Sequence, residues 1–234
     1  MFALLLLACS ESDYAVKNLC VEEAGGFDIE EVSTLQDAAG YPGARDAVVL
    51  AFDADSLGDG ESWRVTGVDL LAMVPEDYFG RYDGGDRLTV DVWDADRPRG
   101  SGGDWQVEVA IDPSALAWER VTLPRDAFWA SQRGELQQRR AWLPFDFSAV
   151  VPEEGMGSGR YTVSVSWTGS GLPTIGYSNF NLDCGRNWTD YGDGSWTLNS
   201  ADGDGSSCSW PMMRVHVETR TVDDGTCEGR SVAL

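Results

Sequence analysis

Basic residues are scarce in this chain: 17 Lys and Arg face 39 Asp and Glu, a formal charge of −22 at pH 7, and Lys17 is the only lysine. That charge repels nucleic-acid phosphates and anionic lipid headgroups unless cations gather in a patch, and none is visible along the sequence. No nucleic acid is therefore expected as a partner. Histidine is scarcer still, with His216 alone, so a nucleophile paired with a histidine base has almost nothing to be built from. No Gly-x-Ser-x-Gly, phosphate-cradling loop or His-Glu-x-x-His motif occurs, and no Cys-x-x-Cys pair supports a zinc site. The apolar run 2–8 is far too short to cross a bilayer as a helix. Helical periodicity is confined to 125–140, with Phe128, Trp129 and Leu136 as its apolar contacts and Pro124 and Pro144 as its bounds.

What is present describes a turn-rich, aromatic-rich globular protein. Hydrophobic residues make up 42% of 234, enough for a sizeable core, and 27 Gly and 10 Trp suit strands joined by tight turns. Short β-branched and aromatic segments recur: Val48, Leu50 and Phe52; the stretch 63–74; Leu88, Val90 and Val92; Trp105, Val107, Val109 and Ile111; 118–123; Tyr161, Val163, Val165 and Trp167; and 211–218. Turn chemistry separates them at 83–86, 97–103 and 153–159, where Gly accepts positive φ and Asp caps its own turn. These features predict an all-β, antiparallel sandwich of about ten strands with one short helical excursion. Residues 11–43 are acidic and weakly patterned, with one early strand expected near 26–32. Along 212–218, alternation places His216 with Arg214 and Glu218 on one face, and Met213, Val215 and Val217 on the other. His216 is read as a solvent-side strand residue rather than a base.

The apolar run ends in Leu6-Leu7-Ala8-Cys9, which resembles the bacterial lipobox, a signal that directs lipid attachment to its cysteine and cleavage before it. No Lys or Arg precedes Cys9 and Leu7 fits loosely, so the expected signal peptide, 1–8, is incomplete as it stands. Ser10 replaces the Asp that retains many such proteins at the inner membrane. The resemblance implies an outer membrane lipoprotein of the bacterial cell envelope, anchored through Cys9, with a tether and lead-in over 9–43 and one domain over 44–234. The remaining cysteines, Cys20, Cys184, Cys208 and Cys227, are even in number and allow three disulfide connectivities. Cys184 with Cys208 and Cys20 with Cys227 is the expected pairing; the second bridge would close nearly the whole mature chain, worth about 4–5 kcal/mol on the entropic model.

Over 46–219 the order of segments is similar to the secreted bacterial jelly-roll modules of the carbohydrate-binding and galactose-binding-like kind. The carrying residues are Trp63-Arg64-Val65-Thr66-Gly67-Val68, then Leu88-Thr89-Val90-Asp91-Val92-Trp93-Asp94-Ala95-Asp96 before a Pro/Gly turn, then Trp118-Glu119-Arg120-Val121-Thr122-Leu123. The strand 159–167, the segment Pro173-Thr174-Ile175-Gly176-Tyr177, Trp196 and Met212-Met213-Arg214-Val215 complete it. Such modules are usually non-catalytic, so the resemblance implies a binding or adhesion module for glycan or another surface component. A structural or assembly protein that uses Trp-rich loops as a protein interface is the alternative. An acid-pair glycosidase has no specific signal here, because 39 acids form pairs by chance.

Two sets of residues are candidate sites. Trp rings stack on sugar faces while polar groups bond hydroxyls, which selects Tyr177, Asn179, Arg186, Trp188, Tyr191 and Trp196. Calcium wants six to eight oxygens, and Asp-Gly turns supply carboxylates and carbonyls together. Asp53, Asp55, Asp59 and Glu61 begin like an EF-hand loop with Gly58 in place but depart from it at Leu57 and Arg64; Asp94, Asp96 and Asp104 frame another turn. Asp190, Asp193, Asp202 and Asp204 form the last cluster, so a structural Ca2+ is the candidate cofactor.

Overall fold

Alternation of core and polar residues sets most of the architecture, and continuous apolar runs occur at 47–52 and 70–74, in strands covered on both faces. The computed structural model describes residues 18–24, 33–34, 45–52, 62–75, 80, 84–111, 117–122, 137–152, 155–157, 159–168, 174–177, 187–190, 192–198 and 212–220. Thirteen strands run in the order β1 (Asn18–Ala24), β2 (Ser33–Thr34), β3 (Arg45–Ala51), β4 (Ser62–Pro75), β5 (Arg87–Trp93), β6 (Trp105–Ala110) and β7 (Glu119–Thr122). They continue with β8 (Gln137–Asp146), β9 (Arg160–Thr168), β10 (Thr174–Tyr177), β11 (Asn187–Asp190), β12 (Thr197–Leu198) and β13 (Met213–Arg220).

The strands form two antiparallel sheets. One has seven strands, ordered β1-β13-β4-β10-β2, with β8 also on β4 and β7 on β8; the other has six, ordered β12-β11-β3-β9-β5-β6. Their inner faces meet in a common core. Val48 and Leu50 of β3, Leu88, Val90 and Val92 of β5, and Tyr161, Val163 and Val165 of β9 oppose Val65, Val68 and Leu70 of β4, Leu143 and Phe145 of β8, and Val215 and Val217 of β13. The expected all-β sandwich is therefore the observed one. Trp63 sits at one end of the core, its ring 4.8 Å from Phe52 and 5.3 Å from Tyr161.

The long strand β4 organises its sheet. It pairs with β13 along 62–70, with β8 along 67–75, and with β10 at Ala72 and Met73. Gly67 is opposite His216 and Val65 opposite Val217, which leaves Thr66 as the extra residue of a β-bulge. Its hydroxyl donates to the His216 carbonyl at 3.3 Å, so the bulge is tied locally.

Three details differ from expectation. The tail of the expected helical excursion, 137–140, belongs to β8, and Pro144 lies inside that strand instead of bounding a helix. Register against β4 overrides local propensity, because it carries Ala141, Leu143 and Phe145 into the interior. Proline is tolerated there because β7 pairs only with 137–140, and since Phe147 N bonds Thr66 O of β4 at 2.9 Å, alternation turns the Pro144 nitrogen toward the unpaired edge, where a missing N–H costs no ladder bond. The lead-in supplies β1, paired along its length with β13, and β2, whereas 25–32 and 123–136 lie outside the described residues.

Candidate functional site

The central strands of the six-stranded sheet, β3, β9 and β5, are buried on both faces, and their outer face carries an elaborate polar structure. Alternation turns Thr89, Asp91 and Trp93 of β5, Thr162 and Ser164 of β9, and Arg45 and Ala47 of β3 outward. These positions are nonetheless hidden: Ala47, Thr162 and Ser164 are fully buried, and Asp91 and Trp93 are 1% exposed. Part of what hides them is the loop 94–104 between β5 and β6.

A buried carboxylate must be compensated by donors. Asp91 receives Gly103 N at 3.0 Å and Gln106 Nε2 at 2.7 Å on Oδ1, and Ser164 Oγ at 3.4 Å on Oδ2. Gly103 has to be glycine, since a Cβ there would sit 2.7–2.8 Å from Val92 O, Asp91 Cβ and Trp105 O. Thr162 Oγ1 donates to Ala95 O at 2.8 Å, and Asp94 N to Asp104 Oδ2 at 2.9 Å, which closes the base of the loop.

The tip of the loop is held in an unusual way. Four consecutive backbone carbonyls each accept a side-chain N–H. Trp93 Nε1 donates to Arg99 O at 3.3 Å and Gly102 O at 3.1 Å, Trp196 Nε1 to Gly100 O at 2.9 Å, and Arg45 Nη1 to Ser101 O at 2.6 Å. Trp93 and Trp196 meet edge to face at 5.9 Å, and the Arg45 guanidinium lies 5.5 Å from the Trp196 ring centre. Trp196 belongs to the second loop, 190–196, and Arg45 binds that loop as well. Arg45 Nη2 lies 3.4 Å from Asp190 Oδ2, whose residue is fully buried, while Asp190 Oδ1 accepts Gly192 N at 2.9 Å and Gly194 N at 3.0 Å. Gly192 and Gly194 have φ of 95° and 80°, the left-handed region in which both amides can turn toward one carboxylate. Asp193 Oδ1 accepts Ser195 N at 2.8 Å. The two loops are thus one clamped unit, with Asp96, Arg97, Arg99 and Asp193 exposed on its surface and Pro98 buried between the two arginines.

The outer face of the other sheet is simpler. Arg64 binds Glu218 at 2.8 Å, His216 Nε2 lies 2.9 Å from Asp69 Oδ2, and Arg214 lies over Trp142 at 4.2 Å. His216 shares its face with Arg214 and Glu218, while Met213, Val215 and Val217 are fully buried, as alternation predicts. Asp69 had no signal in the sequence as its partner.

Of the six residues read as a sugar platform, the structure describes the side chains of two. Trp188 is half-buried, its indole nitrogen enclosed without a hydrogen bond, and Trp196 is half-buried and committed to the clamp. Tyr177 is described only by its place in β10, and Asn179, Arg186 and Tyr191 lie outside the described residues. Of the calcium candidates, Asp190 and Asp193 spend oxygens on backbone amides, and Asp190 also meets Arg45; Asp53, Asp55, Asp59, Glu61, Asp202 and Asp204 lie outside the described residues. Among the described residues no group of three or more His, Cys, Asp and Glu could hold a metal. Cys20 is placed in β1 opposite Val217, and Cys9, Cys184, Cys208 and Cys227 lie outside the described residues.

Arg45, Asp91 and Trp93, which hold the loop 94–104, were not among the candidate site residues, Asp91 and Trp93 being read only as part of a strand. One signal was available. Trp93 is out of phase with Leu88, Val90 and Val92 and directly precedes a Gly-rich segment, so a large ring had to point outward under a loop. The chain matches no family model, no curated protein and no solved structure.

Proposed function

We propose that this protein is a non-catalytic binding module of the bacterial cell envelope, held on the outer membrane by a lipid on Cys9, with the clamped loop pair as its recognition surface. Its ligand is glycan or another surface component, as its likeness to jelly-roll modules suggests. The observation that carries the reading is the clamp, in which two indoles and a guanidinium fix four successive carbonyls while Asp96, Arg97, Arg99 and Asp193 remain exposed. A loop ordered before binding loses little conformational entropy when it meets a ligand. Rigid scaffolds that present polar loops are the usual design of binding proteins.

A glycan array probed with the full chain tests the reading. Saturable binding that is lost in Trp196→Ala, which opens the clamp, supports it. A single stoichiometric envelope protein captured in place of any glycan would instead favour the assembly role. Fatty-acid labelling that persists in Cys9→Ser would remove the proposed anchor.

A further inference from the structure

In a chain with more than two acids for every base, a cation finds a partner easily, and the described arginines do so. Arg45, Arg64, Arg87 and Arg140 each sit on a carboxylate, Arg214 lies over the Trp142 ring, and the other arginines with described side chains are partnered as well, with two exceptions. Arg97 and Arg99 are both exposed, and among the described residues neither side chain has an ion pair, a hydrogen bond or a ring contact. Both project from the clamped loop, where Arg99 O is a clamp acceptor and Pro98 between them is buried. Proline fixes its own φ and restricts the residue before it, so the chain at Arg97 is stiff as well. Two residues of chain separate their Cα atoms by at most about 7 Å, so both guanidinium forks can reach one anionic group.

We propose that Arg97 and Arg99 bind the anionic group of an acidic polysaccharide. The inference rests on the reading of the clamped loops as a recognition surface and specifies its ligand. Asp96 supports a sugar over an acidic peptide. It is exposed beside Arg97 and, among the described residues, has no bonding partner. A sugar acid presents hydroxyl donors beside its acid group and satisfies Asp96 and the arginines together, whereas a run of peptide carboxylates would face Asp96 with like charge. The rest of the −22 does not prevent this, because charges farther than about 8 Å are largely screened at physiological salt.

Binding of the full chain to polygalacturonate, dextran sulfate and neutral dextran at low and moderate salt tests the site, with Arg97→Gln/Arg99→Gln as the variant. Arg87→Gln/Arg160→Gln, which removes the same two charges elsewhere on the surface, controls for net charge. The expected result is binding to one or both charged polymers, weakened at least about tenfold in the double variant and less than about twofold in the control. The preferred polymer identifies the anion as carboxylate or sulfate. Equal binding to neutral dextran, or binding indifferent to the double variant, overturns the assignment while leaving a glycan-binding module in place. Binding to no polysaccharide here and no glycan on the array overturns both. Unchanged melting of the double variant ensures that a loss is read as loss of the site.

Discussion

At the residue scale, identical backbone angles impose different demands. Gly84 and Gly155 both have φ of 86°, but a Cβ on Gly84 meets nothing within 4 Å, whereas one on Gly155 would lie 2.4 Å from Trp63 O. The same carbonyl accepts Met156 N at 2.7 Å, so the backbone cannot withdraw without giving up a bond. Gly84→Ala should cost about 1–2 kcal/mol, the price of the left-handed conformation alone. Gly155→Ala should cost clearly more, and urea melts of the two variants compare them directly. Asp146 gives a pH test. The Ser148 hydroxyl and amide, at 2.5 and 2.9 Å, hold its carboxyl below the usual aspartate range. A depressed folded value means the contribution is present above the ordinary aspartate value and fades as pH falls through the lower one. Asp146→Ala should therefore destabilise at neutral pH and lose its effect in strong acid, by a small amount because the group is exposed.

At the element scale, the two loops depend on one ion pair. Asp190 is fully buried and Arg45 nearly so, so Arg45→Met strands a charge and should cost about 3–5 kcal/mol. Arg45→Met with Asp190→Asn should recover part of that, and tryptophan fluorescence should report the Trp93–Trp196 contact loosening in the single variant first. A double variant no better than the single one would mean that the pair does not hold the loops. The strands themselves were largely legible, because Leu88, Val90 and Val92, and likewise Tyr161, Val163 and Val165, alternate cleanly and all face the core. The course of β8 was not. Its Gln- and Arg-rich start has no alternation to read, and Pro144 signals an ending except where a strand has one partner. The clamp was illegible for a related reason: it joins Arg45, Trp93 and Trp196, which come together only once β3, β5 and the β11–β12 turn share a sheet.

At the scale of the whole molecule, 22 surplus negative charges repel one another across a sandwich whose centre is apolar. Added sodium chloride should therefore raise the melting temperature by screening that repulsion. Stabilisation by calcium beyond its effect on ionic strength would mark a specific site among the acidic turns, and an effect matched by sodium chloride would count against the structural Ca2+ expected from the sequence. The surplus also makes self-association unfavourable, so light scattering should report a monomer at low salt.

The clamp grips 99–102 through main-chain oxygens, and an oxygen on the backbone is the same whatever side chain its residue carries. The shape of the tip therefore depends little on the side chains at 97, 99 and 101, whereas Gly100, with φ of 61°, and the buried Pro98 are bound to their places. Arg97, Arg99 and Ser101 form a cassette: relatives of this chain, or a designer, can rewrite its chemistry while the sandwich beneath keeps its sequence.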